Sequence, residues 1–217
     1  MRKNDSILPS VVILISGRGS NMQALVRYAQ QTVEFTIKAV ISNTPKATGL
    51  DFARASGLNT VVVDHTLFSS RDAFDLALAG EIKQLNPDLI VLAGFMRILT
   101  PAFVTQFENA IVNIHPSLLP AFTGLNTHQR AIDAGVRVHG ATVHLVTAEL
   151  DVGPILDQAV LAVNENETSD RLAARVLALE HQMYPRAISA YLRRHIVLQN
   201  GQIKGAKSMS LFHGLLS

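Results

Sequence analysis

The chain has no cysteine and no tryptophan, and only 6% of its 217 residues are aromatic. Without thiols there is no disulfide, no thiolate metal site and no cysteine nucleophile, and a reducing cytoplasm suits such a chain. Charge is also sparse. Charged residues make up 17%, the formal net charge is +2, and the lysines and arginines are scattered without any block. That argues against a nucleic-acid surface, although a few of these side chains suffice to hold an anionic small molecule. No apolar run reaches the roughly 18 residues that span a bilayer, so no membrane partner is expected. The longest candidate near the start, Ile7 to Ser16, is interrupted by Pro9 and Ser10 and has no small-residue cleavage pattern, which excludes a signal peptide. The chain is instead rich in apolar residues. A hydrophobic content of 48% argues for a compact globule with a large core, read here as one domain over 1–217 with a loose arm at 1–9 and a tail at 204–217 that shows no pattern.

Strand and helix signals alternate along the first two thirds. Val11 to Ile15 is a β-branched run without polar alternation, as in a parallel strand buried on both faces. Ser16-Gly17-Arg18-Gly19-Ser20-Asn21 follows, and then Met22, Leu25, Val26 and Ala29 recur at helical spacing. Phe35 to Ile41 and Thr60 to Val63 read as the second and third strands, with a short helix from Leu50 to Ala55 between them. From Ser70 the residues Ala73, Leu76, Ala77, Gly80 and Ile82 suggest a helix stopping before Pro87. Leu89 to Ala93 is a fourth buried strand. Thr100-Pro101 then gives an N-cap followed by proline at the first helical position. Ala110 to His115 is the fifth strand, and a proline and glycine loop leads to a helix from about Thr127 to Ala134. After Gly135 the style changes to consecutive strands, Val138 to Val146 and Ile155 to Val163, then one amphipathic helix from Ser169 to Arg194 carrying Leu172, Val176, Leu179, Met183 and Ile188 inward. Asn200-Gly201 between Ile196 to Gln199 and Gln202-Ile203 marks a type I′ hairpin. The fold class is therefore α/β: an open, doubly wound, mostly parallel sheet with an antiparallel C-terminal part.

Three places carry chemistry. Asn113 and His115 are two apart on a strand and share a face, and Pro116 ends regular pairing just beyond them. An amide that donates to an oxyanion beside an imidazole that titrates near neutrality suits carbonyl chemistry. Gly17 to Asn21, between a strand and a helix, can form a small anion site at the helix start, with Ser20 and Asn21 as extra donors; it can equally be a structural turn. Met22 stands where a dinucleotide fingerprint wants its third glycine, and the lysine of a P-loop is missing. Asp151 lies in the turn Leu150 to Pro154. An aspartate there is ordinarily solvated, yet beside His115 it would favour the protonated ring. His128, His139 and His144 have no metal-site spacing, and Ser117 has no nucleophile-elbow sequence, so it reads as a loop donor.

In this order and spacing, Ser16-Gly17-x-Gly19-Ser20-Asn21, Gly94-Phe95-Met96-Arg97-Ile98-Leu99, Asn113 to Pro120 and Leu150-Asp151-x-Gly153-Pro154 resemble the phosphoribosylglycinamide formyltransferases of the folate-dependent formyltransferase family. The resemblance runs from about Val11 to about Tyr191. It implies a Rossmann-like cytoplasmic transferase of purine biosynthesis that moves the formyl group of 10-formyltetrahydrofolate to the amine of glycinamide ribonucleotide without a metal. It also implies small-molecule substrates only, no nucleic acid, and a monomer or weak homodimer. By the same likeness Gly19, Ser20 and Asn21 bind the substrate phosphate and Glu180 the ribose hydroxyls. Arg71 meets the folate glutamate tail, Met96, Arg97, Ile98 and Leu99 line the folate site, and Asn113, His115 and Asp151 are the catalytic trio. Two positions depart from the pattern. Asn126 stands where the family usually has histidine; it can still hydrogen-bond Asp151 but cannot carry charge, so a shifted pH optimum is expected rather than loss of activity. Ala121 replaces a lysine or other polar residue. A formyl-folate hydrolase, a transferase to another amine, and a nonenzymatic nucleotide-binding domain are the alternatives.

Overall fold

The computed structural model describes residues 8–205. Residues 1–7 of the expected arm and 206–217 of the expected tail lie outside the described residues. Seven strands, β1 (Ser10–Ile15), β2 (Thr36–Ser42), β3 (Thr60–Val62), β4 (Leu89–Leu92), β5 (Ile111–His115), β6 (Val138–Leu145) and β7 (Ile155–Ala162), form one sheet in the order β3-β2-β1-β4-β5-β6-β7. The helices are α1 (Ser20–Thr32), α2 (Gly49–Ala55), α3 (Arg71–Leu85), α4 (Pro101–Gln106), α5 (Thr127–Asp133) and α6 (Ser169–Leu192). Pairing is parallel from β3 through β5 and antiparallel from β5 through β7, the change of style read after Gly135. A separate hairpin, β8 (Ile196–Gln199) and β9 (Gln202–Gly205), turns at Asn200 and Gly201, both with positive φ as a type I′ turn requires.

The uninterrupted apolar run of β1 follows from burial on both faces. Val11, Ile13 and Ile15 belong to the core that includes Met22 and Leu25 of α1 and Met183, Tyr184 and Ile188 of α6. Val12 and Leu14 belong to the opposite core, with Phe74, Leu78 and Ile82 of α3 and Phe103 of α4. The Thr100 cap is the one the sequence implies, its Oγ1 accepting from Phe103 N at 3.3 Å, and Ser70 caps α3, its Oγ accepting from Ala73 N at 3.1 Å. The inner face of α3 is not the expected one. Leu76 is 70% exposed, and the helix turns Phe74, Leu78 and Ile82 inward, because that i, i+4, i+8 row carries the aromatic ring and so buries more apolar surface.

Two features place the site. Strand order reverses between β1 and β4, so their C-terminal ends diverge into a crevice of the kind that holds ligands in open α/β sheets. The fully buried Tyr184 of α6 puts its hydroxyl 2.9 and 3.0 Å from the carbonyl oxygens of Leu92 and Val112, anchoring the helix across β4 and β5. Glu180, one turn earlier on α6, is thereby fixed next to the sheet's C-terminal edge, and Pro185 is tolerated within the same helix.

On β7, Asp157 is buried with Oδ2 unpaired, and burial raises its carboxyl pKa to about 6. A carboxyl raised in the folded state favours folding at acid pH, and that contribution is lost as pH rises from about 4 through about 6. Asp157→Asn should therefore stabilise the protein by about 2–3 kcal/mol at pH 8 and by almost nothing at pH 4. Denaturant unfolding at the two pH values measures this, and an equal effect at both contradicts it.

Candidate active site

The register of β5 against β6 sets Asn113 opposite His144 and His115 opposite Thr142. Directly opposed residues on antiparallel strands share a face, so the polar pair of β5 gains two polar side chains from β6, His144 and Thr142. His144 Nδ1 lies 3.0 Å from the Leu145 carbonyl oxygen and must donate to it, which leaves Nε2 as an acceptor. Asn113 Nδ2 supplies the donor at 3.3 Å. Burial holds the pKa of His144 below its ordinary value, in keeping with the neutral tautomer this chain of bonds requires. The second N–H of the Asn113 amide is then aimed by the first.

Asp151 sits in the turn after β6 and is buried, not solvated. Its backbone is left-handed at φ 57°, a region aspartate tolerates better than most residues. At Gly153, two residues on, a side chain would overlap the Leu145 carbonyl oxygen, so only glycine lets this turn pack against the end of β6. The carboxylate accepts from Gly124 N at 3.0 Å through Oδ2. The same oxygen is 3.5 Å from His115 Nδ1, and Oδ1 is 3.8 Å from His144 Nε2. The other nitrogen of His115, Nε2, donates to the Phe122 carbonyl oxygen at 3.0 Å. His115 thus faces an acceptor at each ring nitrogen.

Phe122 is held in the left-handed region at φ 54°, an outlier for an aromatic residue, and its ring lies between His139 and the Arg130 guanidinium. His139 Nε2 and His128 Nδ1 are 3.2 Å apart, one donating to the other. Burial pushes His139 down to about 4 and lowers His128 as well. Three histidines whose neutral forms are favoured therefore surround His115.

The anion end lies at the start of α1. Gly19 adopts φ 63° immediately before the helix, where a side chain would crowd Met22. The first amides of α1 have no partner within the helix and carry the positive end of its dipole. Asn21 differs from expectation: its side chain is not free for an anion, because Nδ2 donates to Glu180 Oε2 at 2.7 Å, leaving only its main-chain amide and Ser20. Asn21 Oδ1 is buried without a partner, and burial raises the buried Glu180 to about 7. On the other side of β1, Met96 and Ile98 are exposed while Leu99 is buried in the core around α3. Arg97 lies over the Phe74 ring at 5.0 Å with Nε buried and unpartnered, and Arg71 is exposed one turn before Phe74. Apolar side chains open to solvent beside an unsatisfied guanidinium nitrogen fit a flat, partly polar ligand.

Asn113, His115 and Asp151 are thus brought together, and Glu180 joins Asn21. The expected bond from Asn126 to Asp151 is absent. Asn126 is exposed in the left-handed position that starts α5, and Gly124 N and the two imidazoles occupy the surroundings of the carboxylate. Ser117 is a loop donor, its hydroxyl donating to the Ala121 carbonyl at 2.6 Å. His144 and the Phe122 carbonyl are the groups that sequence reasoning missed. The alternation of Thr142, His144 and Val146 along a strand next to the fifth was a usable signal for the first; a main-chain carbonyl leaves no mark in a sequence. Among the described residues no group of three or more histidines and carboxylates is arranged to hold a metal, and no helix is long and apolar enough to cross a membrane.

Residues 10–188 match the family described as formyl transferase. The phosphoribosylglycinamide formyltransferase of Escherichia coli (strain K12) is 46% identical over 181 residues, which are 83% of this chain and 85% of that protein. Glycinamide ribonucleotide transformylase 1 from Symbiobacterium toebii superposes with a TM-score of 0.90 at 39% identity, covering 94% of this chain and 97% of that one. A formyltetrahydrofolate deformylase from Pseudomonas syringae pv. tomato superposes with a TM-score of 0.83 at 25% identity, covering 91% of this chain and 66% of the other.

A histidine whose pKa is lowered on folding contributes stability above its unfolded value near 6.5, and that contribution is lost as pH falls toward the folded value. His139 should therefore titrate at about 4 by NMR, and the protein should lose stability between about pH 6.5 and 4. A His139 midpoint near 6.5 contradicts the packing described.

Proposed function

The chain belongs to the formyl transferase family, and from that premise we propose that it transfers the formyl group of 10-formyltetrahydrofolate to the amine of glycinamide ribonucleotide, a step of purine synthesis. The observation that supports the reading is the meeting of His115 and Asp151, with Asn113 on the same face, at the C-terminal end of β5, the end of the sheet at which α1 starts after β1 and the exposed Met96 and Ile98 follow β4. The main-chain amides of Gly19, Ser20 and Asn21, with the Ser20 hydroxyl, take the phosphate, and Glu180 accepts from the ribose hydroxyls. The pterin and its tail lie along Met96 to Leu99, with Arg71 toward the glutamate carboxylates. The folate here is a co-substrate, consumed as the formyl donor.

The amine attacks the formyl carbon, and the carbonyl electrons move to oxygen as the tetrahedral adduct forms. Asn113 Nδ2 and His115 stabilise that oxyanion. With Asp151 at one ring nitrogen and a carbonyl at the other, His115 satisfies both acceptors when it carries both protons. Its Nε2–H exchanges the Phe122 carbonyl for the substrate oxygen at the moment of reaction. A proton then passes from the attacking nitrogen, through water held by Asp151, to the folate nitrogen, and the carbon–nitrogen bond to folate breaks. The products are the formylated ribonucleotide and tetrahydrofolate. The phosphate seat and the buried carboxylate beside it favour a phosphorylated, diol-bearing acceptor over water, which distinguishes this reading from hydrolysis.

Asn113→Ala and His115→Ala should each lower turnover by on the order of 100 to 1000-fold, with tetrahydrofolate released only when the ribonucleotide is present. Near-normal turnover in either folded variant, or release without the ribonucleotide, sinks the assignment. Glu180 supplies a pH signature. Its carboxyl is neutral below about 7 and an ionised acceptor above it, so KM for the ribonucleotide should fall as pH rises from about 6 to about 8. Glu180→Gln should flatten that dependence; an unchanged slope in this variant shows that it comes from the phosphate instead.

A further inference from the structure

The Ser16 hydroxyl lies where the ends of three strands meet. Ser16 follows β1 and opens the loop that leads to α1, and its main-chain N–H donates to the Gly94 carbonyl beyond β4 at 3.1 Å. Its Oγ donates to Asn43 Oδ1 at 2.6 Å and accepts from Met96 N at 2.8 Å. Asn43 is buried just past β2, and its carbonyl oxygen accepts from His65 N at 3.1 Å, so the far end of this bridge is fixed to the chain after β3.

The loop that Ser16 opens is confined on its other side. Gly17 O accepts from Gly49 N at 3.1 Å, and a side chain at Gly49 would press on the carbonyl oxygens of Gly17 and Arg18 at 3.0 Å each. Gly17 to Gly19 are thus braced against the start of α2 on one side and joined directly to Ser16 on the other. A hydroxyl has one proton to give, and here it gives that proton to Asn43 while holding the Met96 amide. We propose that Ser16 is a positioning residue that couples the two substrate sites, the phosphate loop on one side and the Gly94 to Leu99 segment on the other, so that binding of either substrate orders the main chain that meets its partner. This rests on the reading of those two segments as the ribonucleotide and folate sites. Among the described residues Ser16 makes no hydrogen bond to Asn113, His115 or Asp151, so the effect proposed for it is on binding and not on the chemical step.

The test is calorimetric titration of glycinamide ribonucleotide with and without saturating tetrahydrofolate, which lacks the formyl group and so permits no turnover. Wild type should bind the ribonucleotide about fivefold or more tightly when the folate is present, and Ser16→Ala should reduce that coupling to below about twofold. Ser16→Thr, which keeps the hydroxyl, should restore it, an outcome that a loss of general stability does not produce. Coupling retained in Ser16→Ala, or absent from wild type although each ligand binds, overturns the proposal and leaves the two-site reading standing. Failure of wild type to bind either ligand overturns both. Should Ser16→Ala not fold, hydrogen exchange decides on wild type alone: the ribonucleotide by itself should slow exchange of the Met96 amide, and no slowing overturns the proposal.

Discussion

The pairing of β5 with β6 is the constraint on which the site depends. One register sets Asn113 opposite His144 and brings the Asp151 turn to His115. Because side chains alternate along a strand, a slip of one residue would send Asn113 and His115 to the opposite face and leave His144 without its donor. The register is enforced from both ends. At one end Val146 N donates to the Ile111 carbonyl at 2.9 Å, closing the pairing just past Leu145. At the other end Thr142 Oγ1 donates to the Ser117 carbonyl at 2.7 Å and accepts from Leu119 N at 3.0 Å, tying the loop after β5 to β6.

A neutral imidazole is useful beside an amide. Asparagine has no proton to transfer at neutral pH, and its value to a developing oxyanion lies entirely in where its N–H points. His144, kept uncharged by burial and locked in one tautomer by the Leu145 carbonyl, fixes that direction without placing another charge in the site. The surroundings of His115 are different: a carboxylate oxygen lies 3.5 Å from its Nδ1, and its Nε2 donates to the Phe122 carbonyl at 3.0 Å. The same fold therefore gives contrasting surroundings to His115, the last residue of β5, and His144, the next to last of β6.

Much of this was legible in the chain. The apolar runs of β1 and β4, the Thr100 cap, the Asn200-Gly201 hairpin and the shared face of Asn113 and His115 are local patterns with local causes. What escaped reading depends on packing between distant segments. The inward face of α3 is decided by competition between Phe74 and Leu76 for the same core. The role of His144 requires a register between two strands with 22 residues between them, 116–137. Asn126 was placed beside Asp151 by resemblance, whereas the left-handed start of α5 turns it to solvent. The Phe122 carbonyl belongs to a residue whose side chain gives no hint that its main chain holds the central histidine.

The account stands on His144 acting through Asn113, and a double-mutant cycle on turnover isolates that link. Asn113→Ala, His144→Ala and the double variant are compared with wild type, each checked for folding. If His144 serves to aim the amide, its removal should cost turnover in wild type and add almost nothing once Asn113 is gone, giving a large interaction term. Losses that simply add would show that the two side chains act independently, and the site as described would be wrong at its centre.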